Sequence, residues 1–270
     1  MITNHKRFAL VRENAAAFTR RSSPLEYEDL VTTYMNHCRD FPIAKTEDYG
    51  FYRGLDVPPF EYGVIDPKLR RRKSKENSDH YNLLLANNPA WSAYPDRLES
   101  VVFTNDDTVA SDYGWLYYVI PFDDARIAVA PKSDIWDCFP GWSVVLGFTF
   151  EGFNETMSLA DVPDDSWEEM KAHVDQLQGF YERDGAAGLV GYEHLVKMFK
   201  YASTERISWL DLVYRMMDPV DRHFKIAKNP SEVLNHDVNE LWTDGKCLLV
   251  KNVHMKRFRA DILQKLQETS

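Results

Sequence analysis

The sequence predicts an α+β fold: a core of short, mainly antiparallel strands, preceded by helices and interrupted by a helical insertion. Two observations carry this. From about residue 50 to 150, short runs rich in Val, Ile, Phe and Tyr stand between turn residues, as in SVVFTN, LYYVIP, ARIAVAP and WSVVLGFTF. On either side of that region, apolar residues recur at helical spacing. Strands in one block and helices in others point to α+β rather than to alternating α/β.

In chain order, residues 1–45 read as helical. PLEYEDLVTTYMNHCRDF places Leu25, Leu30, Tyr34 and Cys38 at helical spacing, with Ser23 before Pro24 as the start signal. Residues 46–155 and 226–252 make up the β core. Within it, the short segment TVASDYG reads as a helix with Ala110 and Tyr113 on one face, after Thr104 and Asn105 at the end of a strand. Residues 156–225 form the helical insertion, in DDSWEEMKAHVDQLQGFYERD, GYEHLVKMFKYAS and SWLDLVYRMMD. NELWTDGKCLLVKN reads as a β-hairpin turning at Asp244-Gly245, and residues 253–270 close the chain as a helix. The whole is expected to be one domain of 270 residues.

Charge and motif content narrow the function. Lys and Arg number 32 against 42 Asp and Glu, so the formal net charge of −10 gives no overall attraction to nucleic acid or an anionic membrane. Cys38, Cys138 and Cys247 are odd in number and far apart, which suggests neither a disulfide framework nor a zinc site. With no leader-like start and no long apolar run, a cytoplasmic location without membrane attachment is expected. GxGxxG, GxxxxGK[ST] and GxSxG are absent, which disfavours Rossmann, P-loop and α/β-hydrolase chemistry. The histidines show no metal-ligand spacing. Asp123, Asp124, Asp134 and Asp137 read as turn and strand-end carboxylates, so no metal is expected.

Chemistry-bearing stretches remain. In DYGFYRGLDVPPF, Arg53 is a permanently charged guanidinium beside Gly54, which permits close approach of a ligand or another backbone. KLRRRKSKEN holds Arg70, Arg71, Arg72, Lys73 and Lys75, the one dense basic cluster, with aromatics on both sides; it is a candidate contact for nucleic acid or an acidic partner.

The order of three elements resembles the Arg-Ser-Glu layout of the ADP-ribosyltransferase superfamily. A strand carries Arg53 in Tyr-Arg-Gly, a second ends at Thr104, and a late strand opens with Glu240 before LxxxG and an apolar run. The resemblance implies an ADP-ribosyltransferase-like β core, NAD as substrate, and transfer of ADP-ribose to a protein or nucleic-acid acceptor. It implies that Arg53 holds the NAD phosphates with Gly54, that Thr104 shapes the nicotinamide pocket, and that Glu240 binds the ribose. Tyr62 or Tyr113 then stacks on nicotinamide. Thr104 stands where arginine-modifying members carry serine, and Val238 where many carry Glu or Gln. Glu232, in PSEVLNHD, is the second candidate for the acidic position but lacks the glycine turn. The layout RLESVVFTND, ASDYG, YYVIP also resembles bacteriophage proteins, which implies a host-cytoplasm setting. The alternative is a non-catalytic interaction protein that engages its partner through the basic loop.

Overall fold

The computed structural model describes residues 21–46, 49–55, 60–69, 71–72, 79–139, 150–234 and 238–269. The class is α+β, and every pairing among the described strands is antiparallel. Where the sequence predicts one domain, the chain divides into two compact units. One comprises residues 1–77, 93–135 and 223–270, the other residues 78–92 and 136–222.

The first unit is built on a sheet. Its strands are β1 (Ser22–Pro24), β2 (Tyr52–Leu55), β3 (Tyr62–Ile65), β4 (Val101–Thr104), β5 (Trp115–Pro121), β6 (Ile127–Val129), β7 (Lys225–Ala227), β8 (Glu240–Thr243) and β9 (Cys247–Lys251). Their order across the sheet is β1-β3-β9-β5-β2-β4-β8-β6-β7. Ser23 and Pro24, read from sequence as a helix start, belong instead to the edge strand β1, where a proline's missing N–H is tolerated. Helix α1 (Tyr27–His37) begins after them.

The expected hairpin does not form. β8 pairs with β4 and β6, whereas β9 pairs with β3 and β5. Gly245 is needed not for a positive φ but because a Cβ there would meet the Ala125 Cβ at 2.4 Å. The link also constrains the shape of the sheet. β8 and β9 stand four inter-strand steps apart, about 19 Å across a flat sheet. The chain from Thr243 to Cys247 reaches at most about 14 Å. The sheet must therefore curl, and the place where it can bend is the junction of β2 and β4, which meet at a single register pair, Tyr52↔Thr104. Side chains on the inner face of both halves share one core: Val101, Phe103, Ile127 and Leu241 from one half, Ile65, Val119, Cys247 and Leu249 from the other. The Phe51 and Phe103 rings meet at 5.1 Å between centroids across that junction. Burial pushes the thiols of Cys38 and Cys247 well above the ordinary thiol range, so neither is a reactive nucleophile.

Helix α8 (Asn252–Glu268) buries Met255, Phe258 and Ile262, and Tyr34 of α1 meets Phe258 edge-on at 5.7 Å. The second unit holds α2 (His80–Asn87), α4 (Phe150–Leu159), α5 (Trp167–Asp184), α6 (Val196–Glu205) and α7 (Trp209–Met216). Ser166 and Ser208 cap α5 and α7 by accepting the N–H groups of Glu169 and Asp211. It recruits α2 from what the sequence assigns to the β core: the Trp91 indole donates to the Met217 carbonyl at 2.7 Å and Asn88 to that of Tyr214 at 3.2 Å. WSVVLGFTF, expected as a strand, lies outside the described residues except for Phe150, which opens α4. Among the described residues, no helix is long and apolar enough to cross a membrane.

The remaining helix of the first unit, α3 (Asp107–Ser111), is capped by Asp106, whose carboxylate accepts the Val109 N–H at 3.0 Å. It lies directly on Gly54: a Cβ there would stand 2.1 Å from the Ala110 carbonyl oxygen and 2.8 Å from the Tyr113 Cβ. Backbone cannot give way as a flexible side chain can. Gly54→Ala is therefore expected to destabilise the protein by about 1–3 kcal/mol, read as a lower urea midpoint; an unchanged midpoint would contradict the packing described.

Candidate functional site

β2, β4 and β8 are neighbours, so the strands bearing Arg53, Thr104 and Glu240 lie side by side. Register fixes which side chains share a face. Tyr52 pairs with Thr104 and Thr104 with Glu240, which places these three in one row on one face. Alternation along β2 turns Arg53 to the other face, the inner one. The structure thus brings Thr104 and Glu240 together and leaves the Arg53 guanidinium across the junction.

Each of the three is buried: Arg53 is 6 %, Thr104 1 % and Glu240 0 % exposed. Glu240 is held by an ion pair to Arg97, a residue 3 % exposed, through Nη1 and Oε1. Its other oxygen accepts a long hydrogen bond from the Ile135 N–H, at 3.4 Å. The Arg97 guanidinium also lies over the Trp242 ring, 5.5 Å from its centroid. The entry to β8 is fixed with equal care. Thr104 Oγ1 donates to the Asn239 carbonyl at 3.0 Å, Asn105 Oδ1 accepts the Asn239 N–H at 2.8 Å, and the Asn239 amide donates to the Ala130 carbonyl at 2.7 Å. Thr104 and Asn105 thus bind the backbone of Asn239, and the cap of α3 comes from Asp106.

Arg53 has a structural task that the sequence did not disclose. β4 has only one rung to β2, so carbonyls on that side need other donors. Arg53 Nη1 donates to the Val102 carbonyl, and Arg21 Nη2 donates to that of Ser100 at 2.8 Å. The Arg72 N–H donates to the Leu98 carbonyl at 2.7 Å, and its Nε lies 3.4 Å from the Arg97 carbonyl. The Arg53 and Arg21 side chains therefore stand where a neighbouring strand's amides would be.

The other expected residues separate. Tyr113 lies over Gly54, on the face of the sheet opposite the Arg53 side chain. Tyr62 is on β3, three strand steps from β2 or about 14 Å, and packs against Tyr27 and His254. In the order of the sheet, β9, β5 and β2 stand between Tyr62 and Thr104. Arg72 is 1 % exposed and no part of a solvent-facing basic patch. Arg71 is exposed and stands 3.8 Å from Glu99; Arg70, Lys73 and Lys75 lie outside the described residues. Glu232 is exposed on a short 3-10 turn, Pro230–Glu232, rather than on a strand. Arg97, Arg21 and Asn239 were missed; Arg97 lies 143 positions from Glu240, and no local pattern joins them. Among the described residues, no group of His, Cys, Asp and Glu is arranged to hold a metal ion.

Comparison with family models, with curated proteins and with solved structures finds no match to this chain.

Removing one partner of a buried ion pair strands the other charge, which costs about 3–5 kcal/mol, whereas replacing both by apolar residues of similar volume is close to neutral. Glu240→Met and Arg97→Met should each lower stability by that order, and the double variant should recover most of it. A double variant as unstable as the sum of the singles, by urea unfolding, would show that the pair does not act as a unit.

Proposed function

We propose that the chain is an NAD-dependent ADP-ribosyltransferase whose reaction centre is the Thr104–Glu240 row beside the β2–β4 junction. One observation supports this reading above others: the Arg, Thr and Glu strands, far apart in sequence, are consecutive in the sheet, with Thr104 and Glu240 in direct register. Cleavage of the nicotinamide–ribose bond develops positive charge at the ribose, and a carboxylate fixed beside it stabilises that charge. Glu240 is the carboxylate, with Arg97 and Ile135 fixing its orientation and Thr104 locking the backbone that carries it. Arg53 lies on the opposite face and donates to the Val102 carbonyl, so it serves the pyrophosphate only by leaving that bond across the β2–β4 junction; Tyr113, over Gly54 on the face of Thr104, is the aromatic close enough to pack on the substrate. The acceptor is a protein or a nucleic acid. Val238, 40 % exposed, replaces the Glu or Gln of arginine-modifying members, which disfavours arginine as that acceptor.

The complete burial of Glu240 against Arg97 favours a second reading, a module that keeps this strand layout for stability and binds a partner without catalysis. Nicotinamide release from NAD, with and without protein or nucleic-acid acceptors, separates the two. The enzyme reading expects release by the wild type and a loss of about 10²–10³-fold or more in the stable double variant Arg97→Met/Glu240→Met. Absence of release under every condition, from folded protein, would leave the binding module.

A further inference from the structure

Helices α1 and α8 of the first unit enclose a groove of about 540 Å³. α1 contributes Tyr27, Glu28 and Val31, and α8 contributes Arg257, Asp261, Gln264, Lys265 and Glu268, whose spacing puts them on one face of that helix. We propose that this groove binds a free α-amino acid, a zwitterion whose ammonium meets Glu28 and whose carboxylate meets Lys265.

The polar groups of the lining divide into those already matched and those left over. Arg257 lies over the Tyr27 ring, 4.3 Å from its centroid, and stands 3.8 Å from Asp261. The Tyr27 hydroxyl donates to Asp261 at 2.5 Å, and the Gln264 amide donates to Glu268 at 2.8 Å. Burial, and then the bond to Asp261, push the Tyr27 hydroxyl above the ordinary phenol range, so it stays protonated at neutral pH and keeps that contact. Glu28 and Lys265 are the two remaining charges, and among the described residues neither side chain enters an ion pair or a hydrogen bond. The carboxylate stands on α1 and the ammonium on α8, so the two walls of the groove present opposite charges. A singly charged ligand would engage one and leave the other unused, whereas a zwitterion engages both through charge-assisted hydrogen bonds.

The rest of the groove sets the size and character of the ligand. Its volume falls within the roughly 300–1,000 Å³ of small-molecule sites, which leaves room for a side chain beyond the two charged groups. Val31 is the aliphatic part of the lining, so an apolar side chain has a surface to pack on. A dinucleotide is disfavoured, because its phosphates would face the carboxylates of Glu28, Asp261 and Glu268. The groove is therefore a site separate from the Thr104–Glu240 row.

A chemical-shift titration of the full chain with L-leucine tests this, beside leucinamide, which lacks the carboxylate, and 4-methylpentanoate, which lacks the ammonium. Saturable shifts at Glu28, Val31 and Lys265 are expected with L-leucine, and each analogue should bind about tenfold more weakly. In Lys265→Gln, L-leucine should bind no more tightly than leucinamide, and in Glu28→Gln no more tightly than 4-methylpentanoate, because each substitution removes the partner of the group that the analogue lacks. Both side chains are exposed, so neither substitution disturbs the core. Absence of saturable shifts with L-leucine, or analogues that bind the wild type as tightly as L-leucine does, would overturn the assignment. Neither result touches the nicotinamide-release reading, because the two sets of residues do not overlap.

Discussion

The junction between β2 and β4 is the constraint on which the first unit depends. One register pair joins the strands, so the sheet can bend there. The short link from Thr243 to Cys247 requires that it does, because a flat sheet would hold β8 and β9 too far apart for it to reach. Bending opens the seam side of β4 to a shortage of donors, and a buried carbonyl left unpaired is costly. The Arg53 and Arg21 guanidiniums supply donors at Val102 and Ser100, and the Arg72 backbone N–H supplies one at Leu98. The edge of β4 and its approach are thereby satisfied partly by side chains instead of by another strand.

The same arrangement sets the electrostatics of the candidate site. Glu240 begins β8 in full burial, and a buried carboxylate requires a partner of opposite charge with good geometry. Arg97 is that partner, and it stands just before β4, so the ion pair ties the approach of one strand to the start of the next. Thr104 and Asn105 at the far end of β4 bind Asn239 and fix the backbone beside the carboxylate. A group held this firmly has lost its orientational freedom before any ligand arrives, which is what preorganised stabilisation of developing charge requires. It is equally what a purely structural ion pair requires.

Much of the secondary structure was legible in the sequence because it rests on local chemistry. The runs of β5 and β6 alternate or cluster β-formers between turns, and the apolar residues of α5, α6 and α7 recur at helical spacing. The α+β class follows from the same signals. What the sequence misassigned is non-local. Asp244-Gly245 has the composition of a hairpin turn, but the long-range pairing of β8 with β4 and of β9 with β5 prevails over the turn preference. Tyr62 sits near Arg53 in sequence yet three strands away in the sheet, because register and order are tertiary properties. Arg72 looked like one cation in a basic run and is instead a buried donor to the backbone near β4. For the candidate site, the placement of Arg53, Thr104 and Glu240 on strands was readable from sequence, whereas the ion pair that governs Glu240 was not.

Amide hydrogen exchange of the folded chain with and without NAD reports each strand separately and so tests for a substrate site at this row. NAD is expected to slow exchange in residues 52–55, 101–104 and 238–243 and to leave β1 and β7, at the edges of the sheet, unchanged. Exchange unaltered throughout these three segments at saturating NAD would contradict a substrate site at the β2–β4–β8 row.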